Sequence, residues 1–157
     1  MATPIGPFNV RRSGWIRATP DRVWEEFESL QRMQAWYGTG HVLTRYEPRV
    51  GATVETDATD HRSSAAPLVF SGKVLVFDPA RELTFEQDWQ GHNWRRPTLI
   101  TIRLTPQSGG TLVELFHHGF DASSDAPGDD LEGFESGWDN HHLVALRAAV
   151  EGKTPAP

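Results

Sequence analysis

The chain has 157 residues and a formal net charge of −6, with 15 Lys and Arg against 21 Asp and Glu; this length fits one domain that can bury about two-thirds of its unfolded surface. It has no cysteine, which excludes disulfides, thiolate chemistry and Cys-built zinc sites. The basic residues are scattered, without the concentrated positive face that nucleic acid or an anionic membrane surface requires. The longest purely apolar runs, such as VLVF at 74–77, are too short to span a bilayer.

Residues 1–8 and 152–157 are proline-rich and read as short flexible ends of a single domain, 1–157, whose core is expected at about 9–151. The N-terminal stretch MATPIGPFNVRR lacks an apolar core of signal-peptide length, so a soluble, cytoplasmic protein is expected. FNVRRSGWIRA (8–18) reads as a strand. TPDRVWEEFESL (19–30) reads as a helix: Thr19 is the N-cap, Pro20 takes the first helical position, and Asp21 favours the helix dipole. QRMQAWYG (31–38) is a second short helix stopping at Gly38.

Five strand-like segments follow at 51–58, 68–78, 82–89, 98–105 and 111–118, with hairpin turns at DPAR and PQSGG. Residues 129–152 then read as one long helix. Its apolar stripe is Leu131, Phe134, Trp138, His142, Ala145, Leu146 and Ala149. Asp129 and Asp130 would cap this helix and Gly152 would close it. The predicted order is β-α-α-β-β-β-β-β-α, an α+β fold whose antiparallel sheet needs one face covered.

That order and its punctuation resemble the START-like (SRPBCC, helix-grip) superfamily. Within it, the chain is similar to the domain family named after the activator of the heat-shock chaperone ATPase. The matching pieces, in order, are IRATPDRVWEEF (16–27), AWYG (35–38), SGKVLVFDPARELTFEQDW (71–89), GGTLVELFHHGF (109–120) and GWDNHHLVAL (137–146). The resemblance implies a curved six-stranded antiparallel sheet wrapped around a long C-terminal helix, with an internal cavity between them. It leaves function open, because the superfamily holds ligand carriers, cyclases and chaperone regulators on one fold.

Alternation along the strands sorts the side chains. Phe70, Val74 and Val76, then Leu83, Phe85, Gln87 and Trp89, then Ile100, Ile102 and Leu104, and finally Val113, Leu115 and His117 are placed on the inner face. His117 and Gln87 are its polar interruptions. His118 is placed outward as an ordinary surface residue, and His141 at the edge of the helix stripe is similar. His142, inside the stripe, is the expected partner of His117. Metal binding by His117, His118 and Asp121 is not expected, since adjacent strand residues point to opposite faces. No nucleophile elbow, phosphate loop or cofactor fingerprint is present. The polar loop at 57–67 lies where a cavity gate could sit.

The expected function is binding of a small hydrophobic ligand, aromatic or lipid-like. Its site would be formed by Trp36, Tyr37, Phe70, Phe85, Gln87, Trp89, Ile100, Ile102, His117, Trp138 and His142, with Trp94 near the entrance. His117 is the one candidate catalytic residue should the cavity serve a cyclase- or hydrolase-type reaction. A chaperone-regulating interaction module is the third possibility. No cofactor, metal, nucleic-acid or membrane partner is expected, and the chain is expected to be a monomer or a homodimer.

Overall fold

The structure, a computed structural model, describes residues 3–38, 41–59, 68–89, 96–123 and 141–152. β1 (Asn9–Ile16) is followed by α1 (Pro20–Trp24), a 3-10 turn (Glu25–Phe27) and α2 (Leu30–Trp36). The strands β2 (Val42–Arg45), β3 (Thr53–Asp57), β4 (Val69–Asp78), β5 (Glu82–Trp89), β6 (Thr98–Gln107) and β7 (Gly110–His118) then run in succession. A short helix, α3 (Phe120–Ser123), follows β7, and α4 (His141–Glu151) closes the order.

All strand pairs are antiparallel, and the sheet order is β1-β7-β6-β5-β4-β3-β2. The chain starts on one edge, crosses to the other through α1 and α2, and meanders back until β7 pairs with β1. Among the described residues the sheet has seven strands, one more than the six expected. The extra strand is β2, whose four residues show the exposure pattern of an edge, with only Leu43 buried. A strand so short carries too little alternation to register as one.

The helix starts follow the sequence. Thr19 Oγ1 accepts from the Arg22 amide at 3.2 Å with Pro20 next in line, and Ser29 Oγ accepts from the Arg32 amide at 3.1 Å. The segment read as one helix over 19–30 is instead broken after Trp24. The tightened turn lets Glu26 sink into a buried position where Arg22 and Arg32 each reach it at 2.9 Å. Trp36 Nε1 then donates to the Glu26 carbonyl at 2.9 Å, and the Tyr46 hydroxyl donates to the Phe27 carbonyl at 2.6 Å. These bonds lock both helices to the core through Trp24, Phe27 and Trp36: Trp24 stacks on Phe27, and Phe27 meets Trp36 at a tilt of 50°.

α4 packs on β1 and α2. Leu143 lies against Gly14 of β1, and Arg147 Nε donates to the Trp15 carbonyl at 3.0 Å. Its buried residues are Leu143, Ala145 and Leu146, so the helix presents Leu143 where the stripe placed His142, and His142 is half-buried. Gly152 follows with φ of +71°, as its closing position requires. The expected first half of this helix, with Leu131, Phe134, Trp138 and the two capping aspartates, lies outside the described residues, as does Trp94.

Inner-face alternation holds for β5, β6 and β7. Leu83, Phe85, Ile100, Ile102, Leu104, Val113, Leu115 and His117 are all buried. It fails within β4. A bulge between Val74 and Val76 pairs Val74 with Phe85 but Val76 with Thr84. The parity flips there, so Val76 shares the outer face with Thr84 while Phe77 turns inward onto Trp24.

Candidate functional site

The inner face is layered across the sheet. One row is Val74, Phe85, Ile100, His117 and Val10, as the pairings Val74 to Phe85, Phe85 to Ile100, Ile100 to His117 and His117 to Val10 dictate. The next row toward the open end of the strands pairs Gln87 with Thr98, and beyond it Trp89 with Phe70. Apolar side chains dominate this face, and its polar groups gather at one end.

His117 is fully buried, and its Nε2 lies 2.7 Å from Thr98 Oγ1. Thr98 Oγ1 also donates to the Gln87 carbonyl at 3.2 Å. A hydroxyl has one hydrogen, and a carbonyl can only accept, so Thr98 must accept from His117. The imidazole therefore carries its proton on Nε2. Burial, and secondarily the neighbouring His118, push its pKa down to about 3, so it is neutral throughout the physiological range. Its ring packs at 4.8 Å on Phe120, which α3 supplies immediately after Gly119 turns the chain with φ of +86°. Thr98 was missed in the sequence. The available signal was its parity, two residues before inward-facing Ile100.

His142 reaches this face by another route. Its ring stacks on Tyr37 at 5.1 Å and 18°, and Tyr37 meets Phe85 edge-on at 5.7 Å. His142 Nδ1 lies 3.3 Å from the Trp36 carbonyl, a pairing in which the nitrogen donates. His142 thus donates from Nδ1, whereas His117 donates from Nε2. His142 enters through Phe85 of β5, two strands or about 10 Å from His117 on β7. Burial pushes the Tyr37 phenol well above its ordinary pKa, so it too is neutral.

Of the remaining predicted residues, Trp36, Ile100 and Ile102 are fully buried within the close-packed core, and Phe85 and Tyr37 nearly so. Phe70 and Gln87 are half-buried at the open end. Trp89 ends β5 opposite Phe70. Among the described residues no cluster of three or more His, Asp or Glu has metal-binding geometry, and no helix is long and apolar enough to cross a membrane.

His118 departs from its expected place. It points to the outer face as alternation requires, yet it is only 2% exposed. Its Nε2 lies 2.7 Å from Thr101 Oγ1, Thr101 lies 2.9 Å from Thr84 Oγ1, and Thr84 donates to Glu82 Oε2 at 3.0 Å. The carboxylate only accepts, which orders every hydrogen in the chain: Thr84 donates to Glu82, Thr101 to Thr84, and His118 Nε2–H to Thr101. Burial, with the Arg103 guanidinium, pushes the His118 pKa down to about 4, against the opposing pull of Glu82 and Asp121. Burial alone would raise the Glu82 carboxyl, but hydrogen bonds from Thr3, Arg103 and Thr84 outweigh it and hold the carboxyl below its ordinary value. Two histidines adjacent in sequence therefore belong to two separate buried networks on opposite faces of one sheet.

A family model described as Activator of Hsp90 ATPase homolog 1-like protein matches residues 17–151. No curated protein matches the chain. Among solved structures, a protein from Rhodobacter sphaeroides is 20% identical with a TM-score of 0.70, over 96% of this chain and 97% of that one. DynU16, from the dynemicin biosynthetic locus, is 21% identical with a TM-score of 0.69, over 96% of this chain and 49% of that one. Aha1 from Colwellia psychrerythraea, solved in solution as a dimer, is 17% identical with a TM-score of 0.63, over 91% of this chain and 96% of that one. At such identities the likeness establishes the fold alone, which is the START-like fold expected from the sequence.

Proposed function

The chain belongs to the family of Activator of Hsp90 ATPase homolog 1-like proteins, and on that premise we propose that it is a binding domain for a small hydrophobic ligand, held at the open end of the inner face. One observation carries this reading. On a face that is otherwise apolar, the His117–Thr98 pair is tied to the backbone carbonyl of Gln87, at the end where the Phe70 and Gln87 side chains remain half-buried. Mostly apolar walls with a few oriented polar groups are what a small-molecule site needs. The Gln87 side-chain amide can give and accept one hydrogen bond each, which suits a ring hydroxyl or carbonyl. Half-buried Phe70 offers a ring face for an aromatic or polycyclic body, with Phe85 and Tyr37 as the packed apolar wall behind it.

Acid–base catalysis by His117 is the weaker reading. A general base works best with a pKa near the working pH, whereas His117 is held near 3. Its Nε2 proton is also already committed to Thr98.

The test is a thermal-shift panel of 2-naphthol, a hydroxyanthraquinone and palmitate against the wild type and Gln87→Leu. A ligand present at about 100 times its Kd adds about 2.7 kcal/mol, a rise of roughly 5–10 °C for a chain of this length. The wild type should show such a rise with a polycyclic hydroxy compound, and Gln87→Leu should lose most of it. Flat melting with every probe, or an equal rise in the variant, overturns the proposal.

A further inference from the structure

The outer face of β5, β6 and β7 is built unlike a solvent-facing sheet surface. Glu82, Thr84, Thr101 and His118 are buried polar groups, and Phe116 beside them is also buried, with the Arg103 guanidinium 5.5 Å from its ring. The cover is the N-terminal segment. Thr3 sits on the Glu82–Arg103 pair, Gly6 lies beside Asp121, and Asn9 pairs with His118 at the head of β1. Residues 3–9 therefore run back over the row from Glu82 to His118.

The contacts at Thr3 are those of one residue being read on three sides. Its amide N–H donates to Glu82 Oε1 at 3.3 Å, its hydroxyl donates to Glu82 Oε2, and its carbonyl accepts from Arg103. Arg103 Nε is itself fixed to Glu82 Oε1 at 3.0 Å, and Thr84 donates to Oε2 from below. The receiving groups are thus oriented by their own partners before Thr3 arrives, which lowers the cost of binding. Beside the same Glu82–Arg103 pair lies an open pocket of about 380 Å³, lined also by Val76, Asp78, Arg81, Leu104 and Thr105. It leaves room for more of a bound segment than Thr3 alone.

We infer that this outer face is a recognition site for an extended peptide presenting a Thr or Ser to the Glu82–Arg103 pair, and that residues 3–7 occupy it in cis as a displaceable strap. The hydroxyl and amide of the peptide satisfy the carboxylate while its carbonyl satisfies the guanidinium. A peptide with a hydrogen-bonding side chain at that position is therefore distinguished from one without it, because the buried carboxylate would otherwise lose a donor. The strap acts as a tethered competitor, present at an effective concentration on the order of millimolar. A peptide in trans gains access only when the strap is weakened or outcompeted. The inner-face ligand site has no part in this, so the two proposals fail independently.

The experiment titrates the isotope-labelled full chain with a synthetic peptide of residues 2–9 while backbone amide shifts are followed. In a Thr3→Val chain, saturable shifts at Thr84, Arg103 and Phe116 are expected. The wild type should need at least about tenfold more peptide, because its intact strap competes. A peptide with Val in place of its Thr should bind the Thr3→Val chain at least about tenfold more weakly. Absence of saturable shifts at these residues in the Thr3→Val chain overturns the inference, as does equal binding of the Thr and Val peptides.

Discussion

The two buried imidazoles make a quantitative statement about acid stability. His117 and His118 have ordinary values of 6.5, depressed to about 3 and about 4 in the folded chain. Below 6.5 the unfolded chain binds protons that the folded chain refuses, so stability is complete above that value and falls as the pH drops toward the folded values. Between about pH 7.5 and about pH 5, each histidine removes about 2 kcal/mol, and the pair about 4 kcal/mol. This is a large part of the roughly 5–15 kcal/mol that holds a domain folded. Glu82 works in the same direction but only below its ordinary value of 4.5, so the upper window isolates the histidines. Urea unfolding followed by tryptophan fluorescence at several pH values measures the slope. His117→Gln and His118→Gln each retain a side-chain N–H for the partnering threonine but cannot titrate. Each should be less stable than the wild type near neutrality, yet lose only about half as much stability on acidification. If the wild type loses less than about 1 kcal/mol over that range, or if both variants retain its full slope, the burial and hydrogen ordering described for these residues are wrong.

Thr101→Val removes a hydroxyl that is fully buried between Thr84 and His118. It leaves the His118 N–H without its acceptor and should cost about 1–3 kcal/mol in urea unfolding, a drop of several degrees in Tm. Thr98→Val removes the acceptor that fixes the proton of His117 on Nε2, so nitrogen NMR of the ring should show the other tautomer gaining population, while His118 keeps its own. Gly72→Ala would place a Cβ 2.1 Å from the Glu86 carbonyl oxygen. Because that oxygen is backbone and cannot rotate away, β4 and β5 must separate locally, and a loss of about 1–3 kcal/mol should appear in thermal melts.

The position of His117 was legible because a period of two leaves one choice of face once Val113 and Leu115 are assigned to the core. The same rule placed Gln87, Phe85 and the isoleucines of β6. What alternation could not supply was the cover on the other face. His118 was correctly turned outward, on the face that Thr101 and Thr84 share, but whether that side meets water depends on residues 3–9. Residues 1–8 read as a loose proline-rich end, and the partners of Thr3 lie some eighty to one hundred positions away in sequence. The bulge at Val74 and Val76 was equally hidden, since a one-residue slip leaves no mark in an apolar run such as VLVF.

The sequence by itself determined the start of α1 at Thr19, the hairpins, the inner-face identity of three central strands and the family, because each follows from local rules or a short ordered pattern. The tertiary structure alone decided the seventh strand, the break after Trp24 that buries Glu26 between two arginines, and the burial of His118 in a polar network of its own on the outer face. Those outcomes rest on which distant segment comes to lie against a given face. Burial converts an ordinary surface histidine into one held neutral by its surroundings, and burial is a property of the packed chain.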